Sequence, residues 1–316
     1  MVISARFAYL ATFIGVCGHA SSEFFAVLSG ISGPEVSVWR YVLGSLGLVL
    51  WALAIPSARN LLAPVRDGGL YFILLSLIGV SATYLAFHWA LDFASVIQVA
   101  TIVTTIPIFV GLSNLIINGT GLSAVKIVTG VLAILGVVVM LTDGYLAELA
   151  GDGNTFFGVF LATFCAAAGS AYAVLVRPII AKHGALPTTA ISLAIGGVGL
   201  WLAVGAFWGI WVNPLNLFAR EASAATAFVD PGWWILILAL WNTTITQILW
   251  FGGLAAAPDI TRASYLFFLK PVIAAVLAIF ILSEEPTVLQ GLAIILVTGC
   301  VVVELFWPRI STALRR

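Results

Sequence analysis

The apolar positions of this chain neither alternate nor keep to one helical stripe; they run continuously. Ten stretches, 6–28, 35–56, 69–91, 94–117, 123–142, 155–179, 187–211, 232–256, 260–282 and 287–307, each hold about 20 predominantly apolar residues, the length one hydrocarbon crossing requires. Backbone polar groups in lipid must be satisfied within the segment, so these stretches predict ten transmembrane helices and an all-α integral membrane fold. The polar, turn-rich stretch around Asp143, Gly151, Asp152, Gly153 and Asn154 divides them five and five, as 1–145 and 146–316. An odd number of crossings per half sends the second half into the membrane inverted relative to the first, an arrangement that many carriers use for alternating access.

Composition agrees: of 316 residues, 62% are hydrophobic and 8% charged, against roughly 25% charged in soluble chains. The connections use nearly all the remaining residues, so no appended catalytic domain is expected. The first stretch, ending near Gly18-His19-Ala20, has the outline of a signal peptide, but removing it would spoil the five-plus-five count, so it is expected to stay as a helix. Cys17, Cys165 and Cys300 all lie inside apolar segments, where they act as small hydrophobes.

A net charge of zero conceals an asymmetry. Ten of the thirteen Lys and Arg residues (Arg6, Arg59, Arg66, Lys126, Arg177, Lys182, Arg262, Arg309, Arg315, Arg316) fall on one side of the ten-span scheme, and Arg220 alone falls in a loop on the other. The positive-inside rule then puts both termini in the cytoplasm. Internal similarity is weak but parallel. An offset of 164 places Leu85 on Leu249, Phe87 on Phe251 and Pro107 on Pro271, and an offset of 148 places Cys17 on Cys165 and Ser22 on Ser170. Pro107 and Pro271 interrupt segments 4 and 9 near their middles and free carbonyls at membrane depth, which points to a site between the halves.

Ionisable groups inside a bilayer cost at least ~2.5–3.5 kcal/mol each and are functional candidates for that reason. Lys270, in the middle of segment 9 and next to Pro271, is the first candidate, as a receptor for a substrate carboxylate. His19 and Glu23 share a face of segment 1 at i and i+4 and suit proton coupling or recognition of an amino group. Arg40 lies about six residues inside segment 2, where a structural ion pair or gate with Glu23 is expected ahead of direct anion binding. His88 shares a face of segment 3 with Tyr84 and Ser81. Gln98, Thr101 and Thr105 recur at helical spacing in segment 4, as do Thr243, Gln247 and Trp250 in segment 8. With Tyr172 and Tyr265 these stripes would wall an aromatic, sparsely charged cavity suited to a small zwitterion with an apolar side chain. A metal would need ligands beyond His19, Glu23 and His88, so no metal or cofactor is expected. No phosphate loop, His-Glu-x-x-His or Gly-x-Ser-x-Gly motif is present.

Ten spans in about 300 residues, Arg40 early in segment 2, prolines in segments 4 and 9, and the acidic turn Leu282-Ser283-Glu284-Glu285-Pro286 followed by Gln290-Gly291 make the chain resemble the EamA-type members of the drug/metabolite transporter superfamily. In the first half the corresponding turn, Asn118-Gly119-Thr120-Gly121, lacks the acidic residue. The resemblance implies an inverted-repeat carrier with a central cavity lined by helices 1–4 and 6–9, in the cytoplasmic membrane of a bacterium, exporting small metabolites. Within that family the aromatic cavity fits exporters of neutral or aromatic amino acids. The alternatives are a nucleotide-sugar or organophosphate exchanger, which would want more bases than Lys270 and Arg40, a drug exporter, and an integral membrane enzyme using His19, Glu23 and His88. The lipid bilayer and a small substrate are the expected partners, and nucleic acid is not.

Overall fold

The computed structural model describes residues 4–31, 33–149, 155–218, 230–282 and 287–314, leaving aside the side chains of Glu23, Glu148 and a few apolar positions. The turn at Glu284 and Glu285, the linker residues 151–154 and the loop with Arg220 lie outside these residues. Fourteen α-helices are named in chain order: α1 Ala8–Ser29, α2 Gly33–Ala54, α3 Ala63–Ser76, α4 Thr83–Ala90, α5 Val96–Thr104, α6 Ile106–Asn118, α7 Ala124–Thr142, α8 Thr155–His183, α9 Ala185–Trp208, α10 Pro231–Ala239, α11 Thr246–Ala256, α12 Ile260–Ser264, α13 Leu269–Leu282 and α14 Val288–Leu314. Among the described residues all regular structure is helical. Nine runs there are long and apolar enough to cross a membrane, several of them joining two of these helices. The 22-residue α1 packs among those runs, against α10, α11 and α13.

Segments 3, 4, 8 and 9 are not continuous α-helices. The break in segment 4 falls at Thr105, with Pro107 in the first turn of α6, because proline is accepted at the start of a helix and not in its interior. In segment 9 a 3₁₀ turn, Tyr265–Phe268, separates α12 from α13, and Pro271 stands in the first turn of the latter. Segments 3 and 8 each carry a π-helical turn, Leu77–Ala82 and Leu240–Ile245. In a π turn the backbone bond runs five residues back, as from the N–H groups of Thr83 and Thr246 to the carbonyls of Ile78 and Trp241, and threonine hydroxyls follow the same reach. The hydroxyls of Thr83, Thr243, Thr244 and Thr246 donate to the carbonyls five residues back, of Ile78, Leu238, Ala239 and Trp241, at 2.8–3.1 Å. In regular helices the hydroxyls of Thr12, Thr129 and Thr163 reach four residues back instead.

These irregularities are paired. The two π turns start 163 residues apart, and the helices that follow, at Thr83 and Thr246, are offset by the same 163, one residue short of the 164 that aligns Leu85 with Leu249 in sequence. Close packing depends on small residues, as expected where lipid gives helices no hydrophobic drive to associate. A Cβ at Gly18 would strike Thr246, one at Gly79 the ring of Tyr172, and one at Gly197 the carbonyl of Tyr41. Helix α2 lies along α9, α7 along α14, and α8 against α4, α5 and α6. All three cysteines are free thiols.

Candidate functional site

Residues three and four apart share a helix face, so α2 presents Ser37, Arg40 and Tyr41 together, facing Tyr84 and His88 on α4. His88 Nε2 lies 3.4 Å from Arg40 Nη1, and its Nδ1 lies 2.6 Å from Ser37 Oγ, which in turn contacts the Tyr84 carbonyl at 3.1 Å. A guanidinium only donates, so Nε2 must accept. That fixes the neutral Nδ1–H tautomer, and Nδ1 donates towards Ser37 Oγ and the Tyr84 carbonyl, itself 3.0 Å away. Beside this relay the rings of Tyr41 and Tyr84 stack with centroids 4.1 Å apart, and Gln247 Nε2 on α11 donates to Tyr84 Oη at 2.8 Å and to Tyr41 Oη at 3.3 Å.

Arg40 is 4% exposed, and its Nε is buried without a hydrogen-bond partner. Its guanidinium carbon lies 5.7 Å from the Tyr41 ring centroid. Among the described residues no carboxylate stands within ion-pair distance of it. The group lines a cavity that also takes in Lys270, His19 and a set of rings. Lys270 Nζ sits 5.8 Å from the Phe87 centroid, and Phe87 meets His88 edge to face at 4.9 Å. His19 stands edge-on to Trp250 and Phe267, at 5.7 and 5.6 Å, and its Nε2 is buried with no partner. The break at Thr105 forms part of the wall: Ile106 lines the cavity, and its carbonyl accepts from Ser170 Oγ at 3.2 Å.

Of the residues singled out from sequence, Lys270, His19, Tyr84, Trp250 and Arg40 thus meet in one cavity, and His88 lies behind Arg40. The others stand elsewhere. Gln98 closes a capping box with Ser95 at the start of α5 and donates to the Leu149 carbonyl, so it caps the first turn of a helix instead of facing a water-filled space. Thr101 is a buried hydroxyl without a partner, and Thr105 donates back to Ile102. Tyr172 Oη bonds Ser192 at 2.7 Å while its ring abuts Phe251. Gln247 belongs to the tyrosine pair, and Tyr265 Oη donates to the Lys126 carbonyl. Glu23 is on α1, its side chain outside the description.

A second charged cluster escaped the sequence reading. Lys126 Nζ lies 2.6 Å from Asp259, whose other neighbour is Arg262, and Arg262 Nε lies 3.1 Å from Glu304, which is fully buried in α14. Nearby, Arg177 on α8 donates to the carbonyls of Ala255 and Ala257. Burial pulls the Asp259 carboxyl up, but the Lys126 hydrogen bond, the backbone N–H of Arg262 and the two nearby cations outweigh it and hold its pKa below the usual aspartate value. The signal for this cluster was present, an acid in the tenth apolar segment; its partners, 42 and 133 residues away along the chain from Glu304 and Lys126 respectively, were not.

A relative in Archaeoglobus fulgidus, named only as an uncharacterized transporter, is 25% identical over 253 residues, covering 80% of this chain and 80% of its own. A protein of the same description in Clostridium kluyveri is 22% identical over 284 residues, covering 88% of this chain and 85% of its own. One solved crystal structure superposes on 97% of this chain and 99% of its own with a TM-score of 0.78 at 16% identity, which establishes the shared fold. The model of the EamA-like transporter family matches residues 6–142 and again 156–305. This multi-pass membrane chain belongs to the EamA-like transporter family.

Proposed function

We propose that the chain exports neutral or aromatic amino acids across the cytoplasmic membrane of a bacterium. In this reading ten spans form two inverted five-helix repeats, 1–145 and 146–316, with both termini cytoplasmic, and the repeats rock about the central cavity to expose it to each side in turn. The observation that carries it is the meeting of Lys270 with Trp250, Phe251, Phe267 and Phe87 around one cavity. A cation supplies charge for a carboxylate, and the rings take an apolar side chain. His19, held between Trp250 and Phe267, offers an open nitrogen to the remaining polar end.

The test is efflux of labelled phenylalanine, leucine and tryptophan from proteoliposomes. Lys270→Ala is expected to lower kcat/KM at least about tenfold, the effect of losing one charge-assisted hydrogen bond. Equal, saturable efflux from wild type and Lys270→Ala would remove Lys270 from the site, and no efflux of any amino acid by wild type would remove the cargo assignment.

A further inference from the structure

We propose that Arg40 is the group that reads the cargo's carboxylate, with its Nε and Nη2 as the binding edge and His88 as the positioning residue that holds that edge towards the cavity. The proposal rests on the cavity being the cargo site, and it departs from the sequence expectation of an ion pair or gate.

The argument starts from what Arg40 lacks. A guanidinium has five N–H donors in a planar fork that matches a carboxylate bidentately. Among the described residues, only Nη1 finds a hydrogen-bonding partner, and that partner is the neutral His88 ring. Nε is buried without a hydrogen-bond partner, in a residue that is 4% exposed. Burying a charge is costly unless paired, and a histidine accepting through Nε2 brings no negative charge. Nε–H and one N–H of Nη2 lie parallel on the edge of the fork away from Nη1. This is the side-on edge an incoming carboxylate would occupy.

The relay behind Arg40 sets its direction. The Tyr84 carbonyl and Ser37 Oγ keep the His88 proton on Nδ1, leaving a lone pair on Nε2 that only a donor can use. Arg40 Nη1 is that donor, so the fork is turned with its other edge away from His88. The Tyr41 face, 5.7 Å away, supports the plane without satisfying any N–H. Lys270 adds positive charge in the same cavity, but as a rotatable point charge it cannot select a planar anion in the way a fork can. The cargo class that follows is a carboxylate carried on an apolar or aromatic body, and an uncharged amide of the same shape is rejected.

The experiment compares acids with their amides on the full chain in nanodiscs: 3-phenylpropanoate with 3-phenylpropanamide, and phenylalanine with phenylalaninamide, by direct binding. Wild type is expected to prefer each acid about 30-fold, and Arg40→Gln to bring the ratio to within about threefold of unity. His88→Gln, whose amide oxygen can still accept from Nη1, keeps the preference, whereas His88→Leu loses it with Arg40 intact. Should Arg40→Gln not purify as a monodisperse protein, Arg40→Lys and His88→Leu decide: a fall in the ratio of threefold or more in either sustains the proposal, and an unchanged ratio in both overturns it. It is also overturned if wild type binds acid and amide alike, if it binds neither acid, or if Arg40→Gln keeps the wild-type ratio. Tight binding of 3-phenylpropanoate with no efflux of any amino acid would instead sink the amino-acid reading and leave the role of Arg40 standing.

Discussion

At the scale of single residues, the buried charges around Asp259 are joined across segments distant in sequence. Asp259 serves Lys126 and Arg262 at once, and Lys126 is nearly buried. Removing one member of such a pair leaves the other charge uncompensated, so Asp259→Asn is expected to cost about 3 kcal/mol, the lower end for buried pairs because Asp259 keeps some water contact. Thermal unfolding in detergent measures this, and an unchanged midpoint would contradict it. The pH dependence has a definite sign. The folded pKa of Asp259 lies below the unfolded one, so its contribution is complete at neutral pH and is lost as pH falls below about 4, through the depressed value. Unfolding midpoints of wild type and Asp259→Asn should therefore converge in acid. Sequence made Arg40 and Lys270 visible, because a charge in an apolar run is conspicuous. It could not supply Ser37 and His88, 51 residues apart, as two links of one relay, and Glu304 was passed over although it breaks the same rule.

At the scale of elements, the irregular turns distinguish this fold from a plain bundle. Prolines made the breaks in segments 4 and 9 legible. The π turns were not legible, since Thr243, Gln247 and Trp250 fit a polar stripe of ordinary helical period equally well. What separates the readings is the carbonyl each threonine reaches, five residues back instead of four, and that is a property of the folded backbone. The hydroxyls of Thr83 and Thr246 double the hydrogen bond that their own backbone N–H groups already make to the carbonyls of Ile78 and Trp241. Thr83→Val and Thr246→Val should therefore each cost about 1 kcal/mol, the net worth of one hydrogen bond, as should Thr129→Val in a regular helix. A loss above about 3 kcal/mol at either π-turn position, measured by thermal unfolding in detergent, would contradict this. Gln98 gives the converse lesson: on a stripe by spacing, it is drawn to the helix start by Ser95, a pairing legible as Ser-x-x-Gln before an apolar run.

For the whole molecule, the apolar stretches made a multi-span helical fold legible, because their length follows from the bilayer alone and needs no contact to be known. The bias of Lys and Arg adds an orientation to that fold. The bias makes a further prediction. Alkaline phosphatase fused after Arg316 or within Asn118–Gly121 should be inactive and a fluorescent protein at those points bright, with the reverse at Asn213. Bright fusions at Asn213 would refute the orientation. The site was less legible than the succession of apolar helices, since the cavity gathers side chains from helices far apart in sequence, and spacing within one helix cannot say which face meets which.

The 163-residue offset of the π turns also relates Tyr84 to Gln247, and these two touch, Gln247 Nε2 to Tyr84 Oη at 2.8 Å. If the two halves are related as the inverted repeats proposed above, counterparts that touch lie on the axis relating them. If the halves exchange shapes during a cycle, each of the two inherits the surroundings of the other while the bond between them maps onto itself. Tyr84 and Gln247 then form a fulcrum: a distance measured across it would stay constant through the cycle, and distances measured at the ends of the same helices would alternate about it.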